Sequence, residues 1–289
     1  MKLVSFGPKG KERPGVMRGD DVVIDLEIAT NGKITSINAL LNEGETGLSL
    51  VRETMEKELP GEALKSAADV RFGPPITEPS KIVCVGLNYH CHANEQGAKL
   101  PKKPILFNKA ALSLSGHGDP IMYPVDEEHL DYEAELAFVF GKKAFRVPAE
   151  DWESYVVGYT VVNDVSARDA QFGDRQWWRG KSCDSHCPMG PYLVTRDEVP
   201  DPHDLQVKAI LNGEVRQNGT TSDLIFKIPE ILALATLNIT FLPGDVIATG
   251  TPAGVGIFMK PTACMSPGDV ISVSVEKIGT LTNKVSERP

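Results

Sequence analysis

Residues 131–140 read DYEAELAFVF, in which two glutamates separated by one residue lead into an apolar run typical of a β-strand. On a strand, side chains two residues apart point to the same face and lie about 7 Å from each other. Glu133 and Glu135 are therefore expected to project together. Two neighbouring carboxylates raise each other's pKa unless a cation neutralises them, and a hard divalent ion such as Mg²⁺ or Mn²⁺ binds carboxylate oxygens. The alternative is an exposed edge strand whose glutamates are solvated.

The sequence around this stretch, from residue 81 onward, is rich in short β-type segments separated by Gly, Pro and Asn clusters. Strands are predicted at Ile82 to Val85, Ile105 to Phe107, Glu133 to Phe140, Val156 to Val162, Val207 to Leu211, Val246 to Thr249 and Val270 to Val275. Asn212-Gly213 is a strong hairpin-turn signal. A helix with proline in its first turn is predicted from Pro229 to Leu237. This pattern predicts an α+β protein that is mostly β.

The first 75 residues follow a different pattern. Residues 22–24 predict a strand, and apolar residues recur at near-helical spacing over residues 48–59, which predicts an amphipathic helix. The prolines of residues 73–75 indicate a linker or an extended crossing. We therefore predict a small N-terminal α/β domain over residues 1–75 and a larger domain over residues 76–289.

Composition narrows the classes of function. The chain of 289 residues is 41% hydrophobic and has a net charge of −9 with no basic block, which argues against general nucleic-acid binding. No apolar stretch approaches the ~20 residues that span a bilayer, so no membrane partner is expected. An odd number of cysteines behind an N-terminus unlike a signal peptide favours a cytoplasmic location. Cys183 and Cys187 have His186 between them, but we expect buried or loop thiols there rather than a zinc site.

A third carboxylate stands at the end of another strand-like run. Residues 156–162 are apolar and lead directly into Asn163-Asp164. A carboxylate at the end of a buried strand is unfavourable unless it is paired or bound to a metal. The alternative for Asp164 is to cap the N-terminus of a following helix, a position that favours Asp and Ser. The residues alone leave these two roles open.

Taken together, the motifs from Lys81 to Val285 resemble those of the fumarylacetoacetate hydrolase superfamily. The Glu-x-Glu strand and the later strand-end aspartate of that family correspond to Glu133, Glu135 and Asp164. Further segments match in order and spacing: residues 86–95 (GLNYHCHANE), 168–171 (RDAQ), 180–184 (GKSCD) and 250–256 (GTPAGVG). The longer segment at 176–181 (QWWRGK) is similar to the branch that includes the mammalian proteins called domain-containing 2.

The resemblance implies a β-roll catalytic domain over residues 76–289, preceded by the small N-terminal domain, and a homodimer. It also implies that Mg²⁺ or Mn²⁺ is the cofactor and that Glu133, Glu135 and Asp164 are its ligands. Such an ion acts as a Lewis acid that stabilises the enolate of a 2-oxo acid.

For the catalytic groups, the resemblance implies that His92 and Glu95 form a dyad that activates water or moves protons. Lys181 is then an active-site cation beside the metal, and Gln171 an orienting hydrogen-bond donor. Without the family context, a surface helical turn explains the first pair and a solvated loop explains the lysine. His90 departs from the small or acidic residue expected at its position.

Three further residues are predicted to bind substrate. Arg168 is either a substrate ligand or a structural ion-pair partner of the metal-binding acids. The glycines around Gly250 allow close backbone approach, so its N–H group and the Thr251 hydroxyl are candidates to hold the substrate carboxylate. A tight β-turn is the alternative for this loop.

These expectations converge on a Mg²⁺- or Mn²⁺-dependent enzyme for small 2-oxo acids such as acylpyruvates or oxaloacetate. Carbon–carbon hydrolysis, decarboxylation and keto–enol tautomerisation all pass through an enolate and remain open. A ureidoglycolate-type lyase is one alternative, and a catalytically silent metal-binding module is another.

Overall fold

The computed structural model describes residues 1–287, which form seventeen strands and seven α-helices. The strands are β1 Lys2–Phe6, β2 Arg13–Arg18, β3 Val22–Asp25, β4 Leu64–Ser66, β5 Ile82–Gly86, β6 Ile105–Lys109, β7 Leu114–Ser115, β8 Leu130–Asp131, β9 Ala134–Phe140, β10 Val156–Asn163, β11 Ser166–Ala167, β12 Cys187–Thr195, β13 Gln206–Leu211, β14 Glu214–Thr220, β15 Val246–Ala248, β16 Val270–Val275 and β17 Gly279–Lys284. The helices are α1 Leu26–Ala29, α2 Ile37–Asn42, α3 Gly44–Met55, α4 His90–Glu95, α5 Arg168–Gly173, α6 Trp178–Lys181 and α7 Ile228–Thr236.

The predicted class, α+β and mostly β, is confirmed. All seven predicted strands are present with bounds within two residues of the prediction, and α7 is shifted by one residue. Asn212 and Gly213 join β13 to β14 with φ angles of 51° and 85°, which is the left-handed geometry of a tight hairpin turn. The N-terminal helix α3 ends at Met55, earlier than the apolar spacing predicted.

Strand β9 occupies the interior of the main sheet, whose order is β4-β3-β2-β1-β12-β10-β9-β15-β5-β6, with β7 attached to β12. Its neighbours β10 and β15 both run antiparallel to it. Because β9 is hydrogen-bonded on both sides, the glutamates at its start cannot belong to an exposed edge strand. That alternative is wrong.

The two faces of β9 pack against different layers, as its alternation predicts. Leu136 and Phe138 pack in one core with side chains of helix α7 and of strands β13 and β16. These two strands belong to a second, four-stranded sheet of order β14-β13-β16-β17. Ala137 and Val139 point the other way into a second core. Glu135 is two residues before Ala137 and therefore points to this second face. Its carboxylate is directed away from the four-stranded sheet.

The N-terminal residues extend the main sheet. Strand β1 pairs antiparallel with β12, with Leu3 opposite Leu193. Side chains of β1, β3, α2 and α3 share a core with Ala137 and Val139 of β9. The division near residue 75 therefore stays a prediction, and the structure shows a sheet and a core that continue across it. No helix within residues 1–287 combines the length and apolar character needed to cross a membrane.

Candidate active site

Three buried carboxylates meet where β9 and β10 lie side by side. Val162 pairs with Glu135, and the Asp164 N–H donates to the Glu133 carbonyl at 2.9 Å. The side chains of Glu133, Glu135 and Asp164 each offer an oxygen within 4.8 Å of the others, and the three residues are 6%, 1% and 0% exposed. Asp164 does not cap a helix, because α5 begins four residues later without a side-chain cap. The predicted Glu-Glu-Asp cluster is therefore present in space.

Two lysines neutralise part of this cluster. The Lys181 Nζ donates to Glu133 Oε2 at 2.7 Å and to Asp164 Oδ2 at 2.8 Å. The Lys109 Nζ donates to Asp164 Oδ1 at 2.5 Å and is fully buried. The sequence analysis identified Lys181 but not Lys109, which ends strand β6. Lys181 is thus an integral part of the cluster rather than a solvated loop residue.

The charges are unequally distributed over the two glutamates. Burial opposes ionisation of Glu133, but Lys181 and Arg168 outweigh it and lower the pKa of this carboxyl to about 2. Burial, together with the charges of Asp164 and Glu133, raises the pKa of Glu135 well above its usual range. Within residues 1–287, Glu135 forms no ion pair and accepts one hydrogen bond, from the Gly250 N–H at 2.8 Å. A divalent cation supplies the missing positive charge at this point, so the cluster fits an ion of the Mg²⁺ or Mn²⁺ type.

Arg168 is buried as an ion-pair partner of the acids. Its Nε donates to Asp131 Oδ2 at 2.9 Å, and its Nη2 lies 2.8 Å from Glu133 Oε1. Its Nη1 donates to Gln171 Oε1 at 2.9 Å. Of the two roles predicted for Arg168, the structure supports the structural ion pair. Because the Gln171 oxygen is engaged, its amide NH₂ is the end that can donate to a ligand.

His92 and Glu95 lie on α4 in direct contact. The His92 Nδ1 is 2.5 Å from Glu95 Oε1, and the other carboxylate oxygen accepts from the Gly254 N–H at 2.9 Å. His92 is only 5% exposed, and the edge of its ring packs against Phe258 with centroids 6.2 Å apart. The loop of residues 250–256 therefore packs against the pair on α4. The alternative of a solvated surface turn does not describe these two residues.

The same loop makes contacts that correct the predicted role of Gly250. Its N–H already donates to Glu135, and one N–H hydrogen does not serve a substrate carboxylate as well. The Thr251 hydroxyl donates to the Ala134 carbonyl at 3.0 Å and accepts from the buried Gln217 amide at 2.7 Å. Gly250 and Thr251 thus position the start of β9, and substrate binding by Thr251 stays a prediction.

Part of this site lines a cavity of about 170 Å³. Its polar wall consists of His92, Gln96, Glu133, Glu135, Arg168, Gln171, Lys181 and Thr251. Its apolar wall consists of Val85, Gly86, Leu87, Ile105, Phe107, Phe172, Trp177 and Phe258. The volume is below the roughly 300–1,000 Å³ of drug-sized pockets, so the cavity selects a small polar ligand.

Several site residues were not identified from the sequence. Gln96 directly follows the dyad motif, whereas Lys109, Gln217 and Phe258 have no short-range signal that connects them to the cluster. Of the two neighbouring tryptophans, Trp177 lines the cavity and packs edge-on against a phenylalanine, and its neighbour is half exposed.

The cysteine-rich segment forms no metal site among the described residues. The Cys183 thiol donates to the Arg179 carbonyl, and the His186 Nε2 lies 2.9 Å from the Met122 carbonyl oxygen. The acidic cluster is the one group of three metal-binding side chains found within residues 1–287. None of the five cysteines forms a disulfide.

Comparison with known proteins agrees with this site. The family model described as fumarylacetoacetate (FAA) hydrolase C-terminal matches residues 81–286. The human mitochondrial oxaloacetate tautomerase FAHD2A is 41% identical over 275 residues, which cover 91% of this chain and 87% of that protein. The oxaloacetate tautomerase YisK of Bacillus subtilis strain 168 is 38% identical over 288 residues, which cover 94% of this chain and 95% of that protein.

Among solved structures, the maleylpyruvate hydrolase of Sphingobium sp. SYK-6 in complex with manganese(II) and pyruvate superposes with a TM-score of 0.81 at 30% identity. The match covers 100% of both chains. The chain therefore belongs to the fumarylacetoacetate hydrolase family. It has the fold of that family and is an enzyme.

Proposed function

We propose that this enzyme interconverts the keto and enol forms of oxaloacetate with the help of Mg²⁺ or Mn²⁺. The observation that carries the proposal is one small cavity lined by His92, which is paired with Glu95, and by Glu133 and Glu135 of the Glu-Glu-Asp cluster. A base and a site for a Lewis acid are the two requirements for moving a proton next to a carbonyl group. The tautomerases among the relatives and the manganese complex of the maleylpyruvate hydrolase support the same choice.

Glu133, Glu135 and Asp164 are the residues that would hold the ion. When bound, a divalent ion stabilises negative charge that develops on the 2-oxo oxygen. Lys181 lowers the pKa of Glu133, which keeps this carboxylate able to act as a ligand, and it also donates a hydrogen bond to Asp164. The amide NH₂ of Gln171 is available to orient a substrate oxygen.

The proton is handled by the dyad. Because Nδ1–H donates to Glu95, the lone pair of the neutral His92 ring is on Nε2. His92 Nε2 takes a proton from C3, the electron pair of the broken C–H bond forms the C2–C3 double bond, and the 2-oxo oxygen receives the charge. The proton then returns to that oxygen to give the enol. Phe107, Trp177 and Phe258 line the cavity and give it an apolar wall that disfavours water.

An ultraviolet assay tests the proposal. With Mg²⁺ or Mn²⁺ present, the enzyme is expected to accelerate the loss of enol absorbance from oxaloacetate without releasing pyruvate, and removal of the metal should reduce the rate to that of Glu135→Ala. Pyruvate release from oxaloacetate would instead identify a decarboxylase, and pyruvate release from an acylpyruvate a hydrolase. No activity above Glu135→Ala on either substrate would favour the ureidoglycolate-type lyase or the silent module.

We also propose that the chain acts as a homodimer. The proposal rests on the resemblance of the chain to its family. Sedimentation equilibrium is expected to give twice the mass of the chain, and a monomer at micromolar concentration would contradict this. The cytoplasmic location likewise stays a prediction, and the name of the human relative assigns that protein to mitochondria.

A further inference from the structure

The side-chain amide of Gln96 is hydrogen-bonded to His92, the base of the proposed reaction. It directly follows α4, and its amide nitrogen lies 2.7 Å from His92 Nε2. Since Nδ1–H of the same ring donates to Glu95, Nε2 is the acceptor and the Gln96 amide is the donor. The amide therefore occupies the position from which Nε2 must reach the substrate.

The charges of the cavity explain why a neutral donor matters there. Among its described lining residues, the permanent cations are Arg168 and Lys181, and both are engaged. Arg168 pairs with Asp131 and Glu133, and Lys181 pairs with Glu133 and Asp164. Eight of the sixteen lining residues are aliphatic, aromatic or glycine. A second carboxylate on the substrate thus finds no unengaged lysine or arginine among these residues and requires amide donors.

Position separates Gln96 from the other amide in the cavity. Gln171 is anchored by Arg168 next to Glu133, on the side of the metal-binding acids. Gln96 is adjacent to the atom that removes a proton from C3. The substituent on C3 is one bond from that carbon, so it must also lie next to Nε2 and within reach of the Gln96 amide.

We propose that Gln96 is the specificity residue that binds the carboxylate attached to C3, an inference that rests on the proposed function. On substrate binding its amide NH₂ moves from His92 Nε2 to this carboxylate, which frees the base and holds the C3 substituent. The position of Gln96 permits the movement, because the residue is largely exposed and Gly97, with a φ of 62°, ends the helix directly after it.

Gln96→Met tests the assignment, because methionine keeps the length of the side chain and removes the donor. The KM for oxaloacetate is expected to rise about 10–100-fold, the range for loss of a hydrogen bond to a charged group, with kcat within about threefold. Gln96→Glu should raise KM further through repulsion between carboxylates. Oxalate, which offers the same pair of metal-facing oxygens but no C3 substituent, should inhibit Gln96→Met and wild type equally.

The matched control is Gln176→Met, the same replacement at an exposed residue that does not line the cavity, and its KM should equal that of wild type. An unchanged KM in Gln96→Met overturns the assignment. A fall in kcat alone, with KM and oxalate inhibition unchanged, also overturns it and leaves Gln96 as a positioning residue for His92. Absence of wild-type turnover of oxaloacetate, measured alongside, overturns the proposed function and this inference together.

Discussion

Replacing His92 with asparagine is expected to lower kcat for oxaloacetate about 10²–10⁴-fold, the usual contribution of a positioned general base. The KM should change little, because His92 makes no hydrogen bond to the three carboxylates proposed to hold the metal. Stopped-flow measurement of enol absorbance at saturating oxaloacetate gives kcat directly. Affinity for Mn²⁺, measured by titration calorimetry, should stay within about twofold.

Glu95→Gln is the companion variant. It keeps a hydrogen-bond acceptor near Nδ1 but removes the negative charge that stabilises the protonated ring, so we expect a smaller loss of kcat than in His92→Asn. Equal kcat values for wild type and His92→Asn would exclude His92 as the base. A parallel loss of Mn²⁺ affinity would show that the substitution had disturbed the cluster rather than the proton transfer.

The parts of the site that the sequence predicted depend on short spacings. Glu135 lies on β9 and Glu133 directly precedes it, so the alternation expected of a strand was enough to predict that both carboxylates project together. Asp164 follows an apolar run that forms the neighbouring strand β10, and strand pairing brings it beside them. His92 and Glu95 are one helical turn apart. The spacing indicated which side chains could meet, and the resemblance to the family implied that Asp164 and the His92–Glu95 pair belong to the site.

The parts that the sequence did not predict depend on contacts between distant segments. Lys109 reaches Asp164 across 55 positions of the chain, and Gln217 reaches Thr251 from the other sheet. Neither contact leaves a periodicity or a motif in the sequence around it. The predicted role of Gly250 failed for a related reason, because its N–H is used by Glu135, 115 positions earlier.

The N-terminal boundary stays a prediction, and the strand pairing around it depends on contacts between distant segments as well. The prolines of residues 73–75 and the change of pattern around them suggested a separate unit. The pairing of Leu3 with Leu193, which makes the main sheet continuous, joins segments that are 190 positions apart. Local composition indicates where the chain turns but not which distant strand it then joins.

Lys181→Met is expected to destabilise the metal-free enzyme by about 3–5 kcal/mol, the usual cost of removing one partner of a buried ion pair. Lys181 is 2% exposed and is shared by Glu133 and Asp164, so its removal leaves two buried carboxylates with one cation fewer between them. Urea unfolding at pH 7 measures the loss. Lys33→Met, at an exposed lysine, is the matched control and should be nearly neutral.

The pH dependence of this loss has a definite sign. The pKa of Glu133 falls from 4.5 to about 2 in the folded protein, so its ion pairs contribute stability that is fully present above about pH 4.5 and is lost as the pH falls toward 2. The difference in stability between wild type and Lys181→Met should therefore shrink over this interval. Because a divalent ion replaces the missing positive charge, saturating Mn²⁺ should stabilise the variant more than wild type. A loss that does not change with pH or Mn²⁺ would show that Lys181 contributes packing rather than charge to the cluster.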